Sequence, residues 1–232
     1  MLILGIDTTA ADCAVALLED TTVLAELSVK AGRAHSEILL PTIDKLLHNT
    51  HKKISDVALI AVANGPGSFT GVRIGVSTVK GLAFGGRMPV VGVSTLWALA
   101  ESQNIKNGVV CAAMDARRGN VYTAIFNVQN GKVVRMTEDD LLSASAVAAT
   151  LGNTDAPIYL AGDGAPLVRS YLDKAEQTAN ASSVGVGVAR AGLAAYTENP
   201  NDKTADVCMP QYLRATQAER ERLAKQTKGE ET

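Results

Sequence analysis

Leu2-Ile3-Leu4-Gly5-Ile6-Asp7-Thr8-Thr9-Ala10-Ala11-Asp12-Cys13-Ala14-Val15-Ala16-Leu17-Leu18 reads as an apolar strand ending in an aspartate, a polar turn and a second apolar strand. A third strand is expected over Thr22 to Val29. The same order returns about a hundred residues later. Val109-Val110-Cys111-Ala112-Ala113-Met114 ends in Asp115, the polar turn Ala116-Arg117-Arg118-Gly119-Asn120 follows, and strands run from Val121 to Val128 and, past Asn130-Gly131, from Lys132 to Thr137. In both copies the aspartate lies six residues before the next apolar run. Helix-like sequence then follows each triplet, Ser36 to Leu47 with Pro41 in its opening turns, and Ser143 to Leu151. A further strand comes after each helix, Val57 to Ala63 and Ile158 to Ala161, and each runs into a glycine-rich turn and another helix. The order β-β-β-α-β-α twice over is an internal repeat and predicts an α/β fold of two duplicated subdomains. Their boundaries are expected at 1–104 and 105–214, with a charged, flexible tail over 215–232.

The glycine-rich turn of the first copy is the longer one: Asn64-Gly65-Pro66-Gly67-Ser68-Phe69-Thr70-Gly71-Val72-Arg73-Ile74-Gly75. A turn so bare lets other backbone come close. It is not a P-loop, because no Lys stands at the required distance from a glycine pair. It is not a nucleophile elbow either, since Ser68 has Pro66 and Thr70 where glycines are needed. The helix it opens interleaves Val72, Ile74, Val76, Val79, Leu82 and Phe84 with small residues, and must be buried on more than one side.

With 232 residues, 47% of them hydrophobic and 20% charged, the chain can bury a sizeable core. A formal net charge of −2 gives no global positive field, so any role with RNA is indirect or local. Cys13, Cys111 and Cys208 lie far apart and form no Cys-x-x-Cys pair, which suits buried thiols in a reducing cytoplasm. The opening residues lack a basic n-region and no long apolar run occurs, so a cytoplasmic location without membrane contact is expected.

The doubled order resembles the acetate and sugar kinase, chaperone and actin superfamily, an actin-like, ribonuclease H-like arrangement. In that superfamily the first turn of each half cradles ATP phosphates and the aspartate before it helps position metal or water. Asp7 and Asp115 fall at those positions, which makes them the candidate cofactor-binding residues of an ATP-dependent phosphotransferase or ATPase. Each has a second reading, as an acceptor for the amides of the turn it opens. Thr8-Thr9-Ala10-Ala11 lacks the glycine and basic residues of a phosphate cradle, whereas Arg117, Arg118 and Gly119 offer better anion-binding material.

A narrower resemblance rests on several motifs together. These are the glycine-rich turn, His35-Ser36-Glu37 with Leu39-Leu40-Pro41, Val93-Ser94-Thr95-Leu96, Asp115-Ala116-Arg117-Arg118-Gly119, Gly162-Asp163-Gly164-Ala165 and Pro210-Gln211-Tyr212-Leu213-Arg214. Over Met1 to about Arg214 the chain resembles the TsaB family of bacterial tRNA threonylcarbamoyladenosine biosynthesis proteins, itself similar to the transferase TsaD. TsaD moves threonylcarbamoyl from its adenylate to the N6 of the adenosine 3′ of the anticodon, with a metal held partly by a His-x-x-x-His pair. The resemblance sets Thr95 and Leu99 opposite those histidines, and neither is such a ligand. Only His35, His48 and His51 occur in the chain, with no Cys or carboxylate cluster beside them to make a zinc site. The expectation is therefore a catalytically silent relative, a pseudoenzyme without catalytic residues, metal or cofactor, that acts through a surface. Gly71 and Gly75, four residues apart, share a helix face that Thr78 and Leu82 continue, and Ile38 and Leu39 add apolar surface from the preceding helix. The resemblance implies pairing with TsaD there, a homodimer when TsaD is missing, TsaE in a larger assembly, and only indirect contact with tRNA. Tyr212-Leu213-Arg214 is expected to dock back on the body.

Overall fold

β1 (Leu2–Asp7) is buried along its whole length because it is central in its sheet, antiparallel to β2 (Asp12–Glu19) on one side and parallel to β4 (Leu59–Ala63) on the other. β3 (Thr22–Lys30) closes one edge beside β2 and β5 (Val90–Val93) the other beside β4, giving the order β3-β2-β1-β4-β5. The structure is a computed structural model that describes residues 1–30, 34–86, 88–172, 175–177, 183–198 and 208–213. Between the strands run α1 (His35–Asn49), α2 (Phe69–Gly86) and α3 (Thr95–Glu101). Pro41 lies in the interior of α1, so its missing N–H falls within the helix ladder and not in the opening turn. The Ser94 hydroxyl caps α3 by accepting from the Trp97 amide at 3.2 Å.

The second sheet repeats the first. β6 (Gly108–Asp115), β7 (Asn120–Gln129) and β8 (Lys132–Arg135) form the antiparallel meander, and β10 (Ile158–Ala161) and β11 (Ala175–Gln177) add in parallel. The order β8-β7-β6-β10-β11 is that of the first sheet. A short β9 (Asp140–Ser143) pairs with β7 and leads into α4 (Ala144–Leu151), while α5 (Ala165–Arg169) follows β10.

Helices separate the layers. One face of the first sheet packs on α1 and α2 through Leu4, Ile6, Leu39, Ile43, Val72 and Val76. Its other face packs on α6 (Val184–Glu198), where Gly185 lies tight against Val15 and a Cβ on Gly192 would collide with the Ala61 side chain. α3 contributes Leu96 and Leu99 to the near face of the second sheet, and α4 and α5 cover its far face.

The sequence places α6 in a second subdomain running to residue 214, but it packs on β1, β2 and β4 of the first sheet. The second unit thus ends with β11 among the described residues, and the chain then returns to the first. The physical reason is the string of small residues on α6, which fits a flat sheet face at close range. The tail over 215–232 lies outside the described residues. Among the described residues no helix is long and apolar enough to cross a membrane.

Candidate functional site

At the carboxyl end of β1 the Asp7 side chain is only 2% exposed. One of its oxygens accepts from the Thr9 amide at 2.9 Å and from the Thr9 hydroxyl at 2.7 Å, a local aspartate turn. Burial pushes the Asp7 carboxyl above its ordinary range, the two Thr9 bonds opposing that rise. The turn is also covered from outside. The Ser68 amide donates to the Thr9 carbonyl at 2.7 Å, and the Thr8 hydroxyl donates to the Gly71 carbonyl at 2.7 Å. A Cβ on Gly71 would run into the Thr8 carbonyl, and one on Gly75 would come within 2.6 Å of the Thr8 hydroxyl. The first turns of α2 thus lie directly over the Thr8–Thr9 turn.

The corresponding turn of the second half is open. Asp115 is exposed, accepts from the Arg117 amide at 2.7 Å, and lies 3.5 Å from the Arg117 guanidinium. Its own amide donates to an Asp163 oxygen at 2.9 Å. Asp7 and Asp115 thus both hold the turns they open, and they differ in what lies over them.

Thr95 and Leu99, set opposite the TsaD histidines by the resemblance, are both buried, Leu99 among the apolar side chains between α3 and the second sheet. They do not fit a metal of that kind, and no cluster of three or more His, Cys, Asp or Glu residues among those described could hold one. His35 is buried, with Nε2 3.1 Å from the Ala10 carbonyl; it braces the β1–β2 turn from α1. His48 and His51 are exposed. Burial pushes all three thiols up to about 11, so none is a ready nucleophile.

The expected contact surface divides. Gly71 and Gly75 face inward onto Thr8, and Leu39 is 1% exposed in the core, so these three cannot meet a partner without the fold opening. Ile38, Thr78 and Leu82 are partly exposed. Gly81 is a glycine of α2 that faces outward, where a Cβ would meet open space. Around it lie Ser77 and Phe84, the latter 89% exposed. A groove of about 470 Å³ runs between α1 and α2, lined by Ser36, Phe69, Thr70, Arg73, Ile74 and Thr78 among others. Leu40, one turn on from Ser36, is exposed on the same side.

A strap from the far end of the chain fixes one rim of this groove. Tyr212 stacks on Phe69 with ring centroids 4.6 Å apart and accepts from Arg73 Nε at 3.0 Å, while Arg73 lies over the Phe69 ring. The Gln211 amide donates to the Asn64 carbonyl at 2.7 Å, so the strap crosses the glycine-rich turn as well. The expected docking of Tyr212 is what the structure shows, but Arg73 as its clamp had no signal in the sequence beyond lying in the same long motif.

Comparison with known proteins completes the description. The family model "tRNA N6-adenosine threonylcarbamoyltransferase" (TsaD) matches residues 28–222. The chain is 32% identical over 229 residues to the tRNA threonylcarbamoyladenosine biosynthesis protein TsaB of Bacillus subtilis, covering 94% of this chain and 96% of that one. It is 44% identical to TsaB of Escherichia coli over 128 residues, 54% of this chain and 55% of that one. Among solved structures, YeaZ from Pseudomonas aeruginosa superposes with a TM-score of 0.76 at 29% identity, covering 91% of this chain and 99% of that one. The ethanolamine utilization protein EutJ from Carboxydothermus hydrogenoformans, at 15% identity over 83% of this chain and 90% of that one with a TM-score of 0.55, shares the fold alone.

Proposed function

The chain belongs to the TsaB family, relatives of TsaD that act in tRNA threonylcarbamoyladenosine biosynthesis, and from that premise we propose that it is a catalytically silent partner of TsaD. It pairs through the outer face of α2 and the adjoining part of α1, holds TsaD in its working arrangement for transfer of threonylcarbamoyl from the adenylate to the N6 of adenosine, and works with TsaE. The observation that carries this reading is the covered first turn: Thr8 and Thr9 bond to Gly71 and Ser68 where a kinase of this fold would hold phosphate. The buried Thr95 and Leu99 in place of metal ligands support the same conclusion.

The surface follows from what the fold leaves uncovered. Ile38, Ile74 and Leu82 rest partly on the first core and partly in solvent, with Leu40 and Phe84 exposed nearby. An apolar patch flanking a groove on adjacent helices is the kind of surface a partner helix covers. In the absence of TsaD the same patch is available to a second copy of the chain.

The test is threonylcarbamoylation of tRNA in a reconstituted mixture of TsaC, TsaD and TsaE, with and without this chain. Activity is expected to require the chain. A Thr78→Arg, Phe84→Arg double variant, altered at a partly exposed and an exposed position, is expected to keep its melting temperature and lose TsaD affinity by about tenfold or more, the scale of a lost interface anchor. Full activity without the chain would overturn the role; unchanged pairing by the variant would overturn the surface.

A further inference from the structure

Three hairpins of the molecule pass through left-handed backbone, and they use different residues to do it. The β2–β3 turn places Asp20 there at φ 53°, and the β7–β8 turn places Asn130 and Gly131 at 52° and 79°. Asparagine followed by glycine is the pair that tolerates this conformation best. The β6–β7 turn instead puts Arg117 at 68° and Arg118 at 58° before Gly119 at 79°. A side chain with a long stem has no local hydrogen bond to offset the clash of its Cβ with the backbone in this region.

The backbone of this turn is held by the Arg117 amide on Asp115 at 2.7 Å and by the Asn120 amide on the Arg117 carbonyl at 3.2 Å, bonds that any residue would make and that call for no arginine side chain. The Arg117 side chain is 85% exposed and has one ion pair, the 3.5 Å approach to Asp115. Arg118 is exposed, and no ion pair of its guanidinium occurs among the described residues; its carbonyl accepts a long bond of 3.4 Å from the Asn120 amide group. Gly119 lies beside open space. Local strain that tertiary contacts do not explain is expected where a binding partner supplies the reason.

We propose that the Arg117-Arg118 tip contacts the phosphodiester backbone of the tRNA when the assembly holds its substrate, an inference that rests on the partner role above. Guanidinium groups match phosphate oxygens in a planar two-point geometry, and two at a projecting turn reach neighbouring phosphates. The chain's net charge of −2 leaves such a contact local, effective only when TsaD also holds the tRNA. The tip lies on the second sheet and the proposed pairing face on the first, so the two contacts involve separate residues.

The experiment replaces the pair by the residues of the other hairpin, Arg117→Asn with Arg118→Gly, in the reconstituted assembly. Relief of strain is expected to raise the melting temperature by about 2–4 °C. The KM for tRNA is expected to rise about tenfold, by more than kcat falls, and the log-log salt dependence of tRNA binding to become shallower by about 1–2. Lysine at both positions, which keeps the charges, should recover most of the KM. Unchanged KM and salt slope with the chain still required for activity would overturn this inference alone. Weakened TsaD pairing at constant tRNA affinity would also overturn it, assigning the arginines to an acidic protein face. Activity independent of the chain would overturn the partner role and this contact together.

Discussion

The β1–β2 and β6–β7 turns occupy equivalent places in two sheets of identical strand order, yet one is buried beneath α2 and the other projects into solvent. Both open on an aspartate that accepts from the amide two residues on. The difference comes from the segment after the fourth strand of each half. In the first half it is Gly65 to Gly75, bare enough to lie on Thr8 and Thr9. In the second it is Gly162-Asp163-Gly164, where Asp163 takes the Asp115 amide and the arginines remain uncovered. Duplication preserves the scaffold and lets the two turns diverge, one sealed and one open.

The largest way to break the comparison is Gly71→Ala. Its Cβ would meet the Thr8 carbonyl, a backbone atom, and a loss of about 3 kcal/mol is expected by denaturant unfolding. Gly119→Ala, in the open turn with nothing near its Cβ, should cost about 1 kcal/mol, from its left-handed backbone. Equal losses would mean that the first turn is not sealed.

Thr8→Val should come next. It removes the buried hydroxyl bond to the Gly71 carbonyl, for an expected loss of about 1–2 kcal/mol.

The smallest effect sharpens the contrast through pH. Because burial raises the Asp7 carboxyl in the folded protein, its contribution is greatest when it is protonated, and stability is lost as pH rises from the ordinary value of 3.8 through the higher folded value. Asp7→Asn keeps an acceptor for Thr9 and cannot ionise, so it should flatten that decline and raise the melting temperature at pH 7. A steeper pH profile in Asp7→Asn would show that the buried carboxylate is stabilised as an anion.

Much of the fold was legible because strands buried on both faces leave continuous apolar runs and their turns leave polar interruptions. Thus β1, β2, β6, β7 and β10 lie close to where those runs predict them. The rotation of α2 was not legible. Its residues are apolar or small almost all round, so periodicity favours no face, and Gly71 and Gly75 are as suitable for packing on Thr8 as on a partner. Of the expected contact residues, Ile38, Thr78 and Leu82 retain exposure, and Gly81 and Phe84 are exposed on the same helix as the inward glycines. His35 gave no signal of burial, because its partner is a backbone carbonyl twenty-five residues away.

The sequence by itself determined the repeat and most of the element order, because these are written in residue type and local spacing, and its motifs carried the resemblance to the TsaB family. Only the tertiary structure decided that α6 returns to the first sheet, that Tyr212 clamps Arg73, and that one aspartate turn is sealed while its twin stays open. Those outcomes depend on contacts between residues distant in the chain, where small side chains permit several close approaches and the packing of the whole selects one.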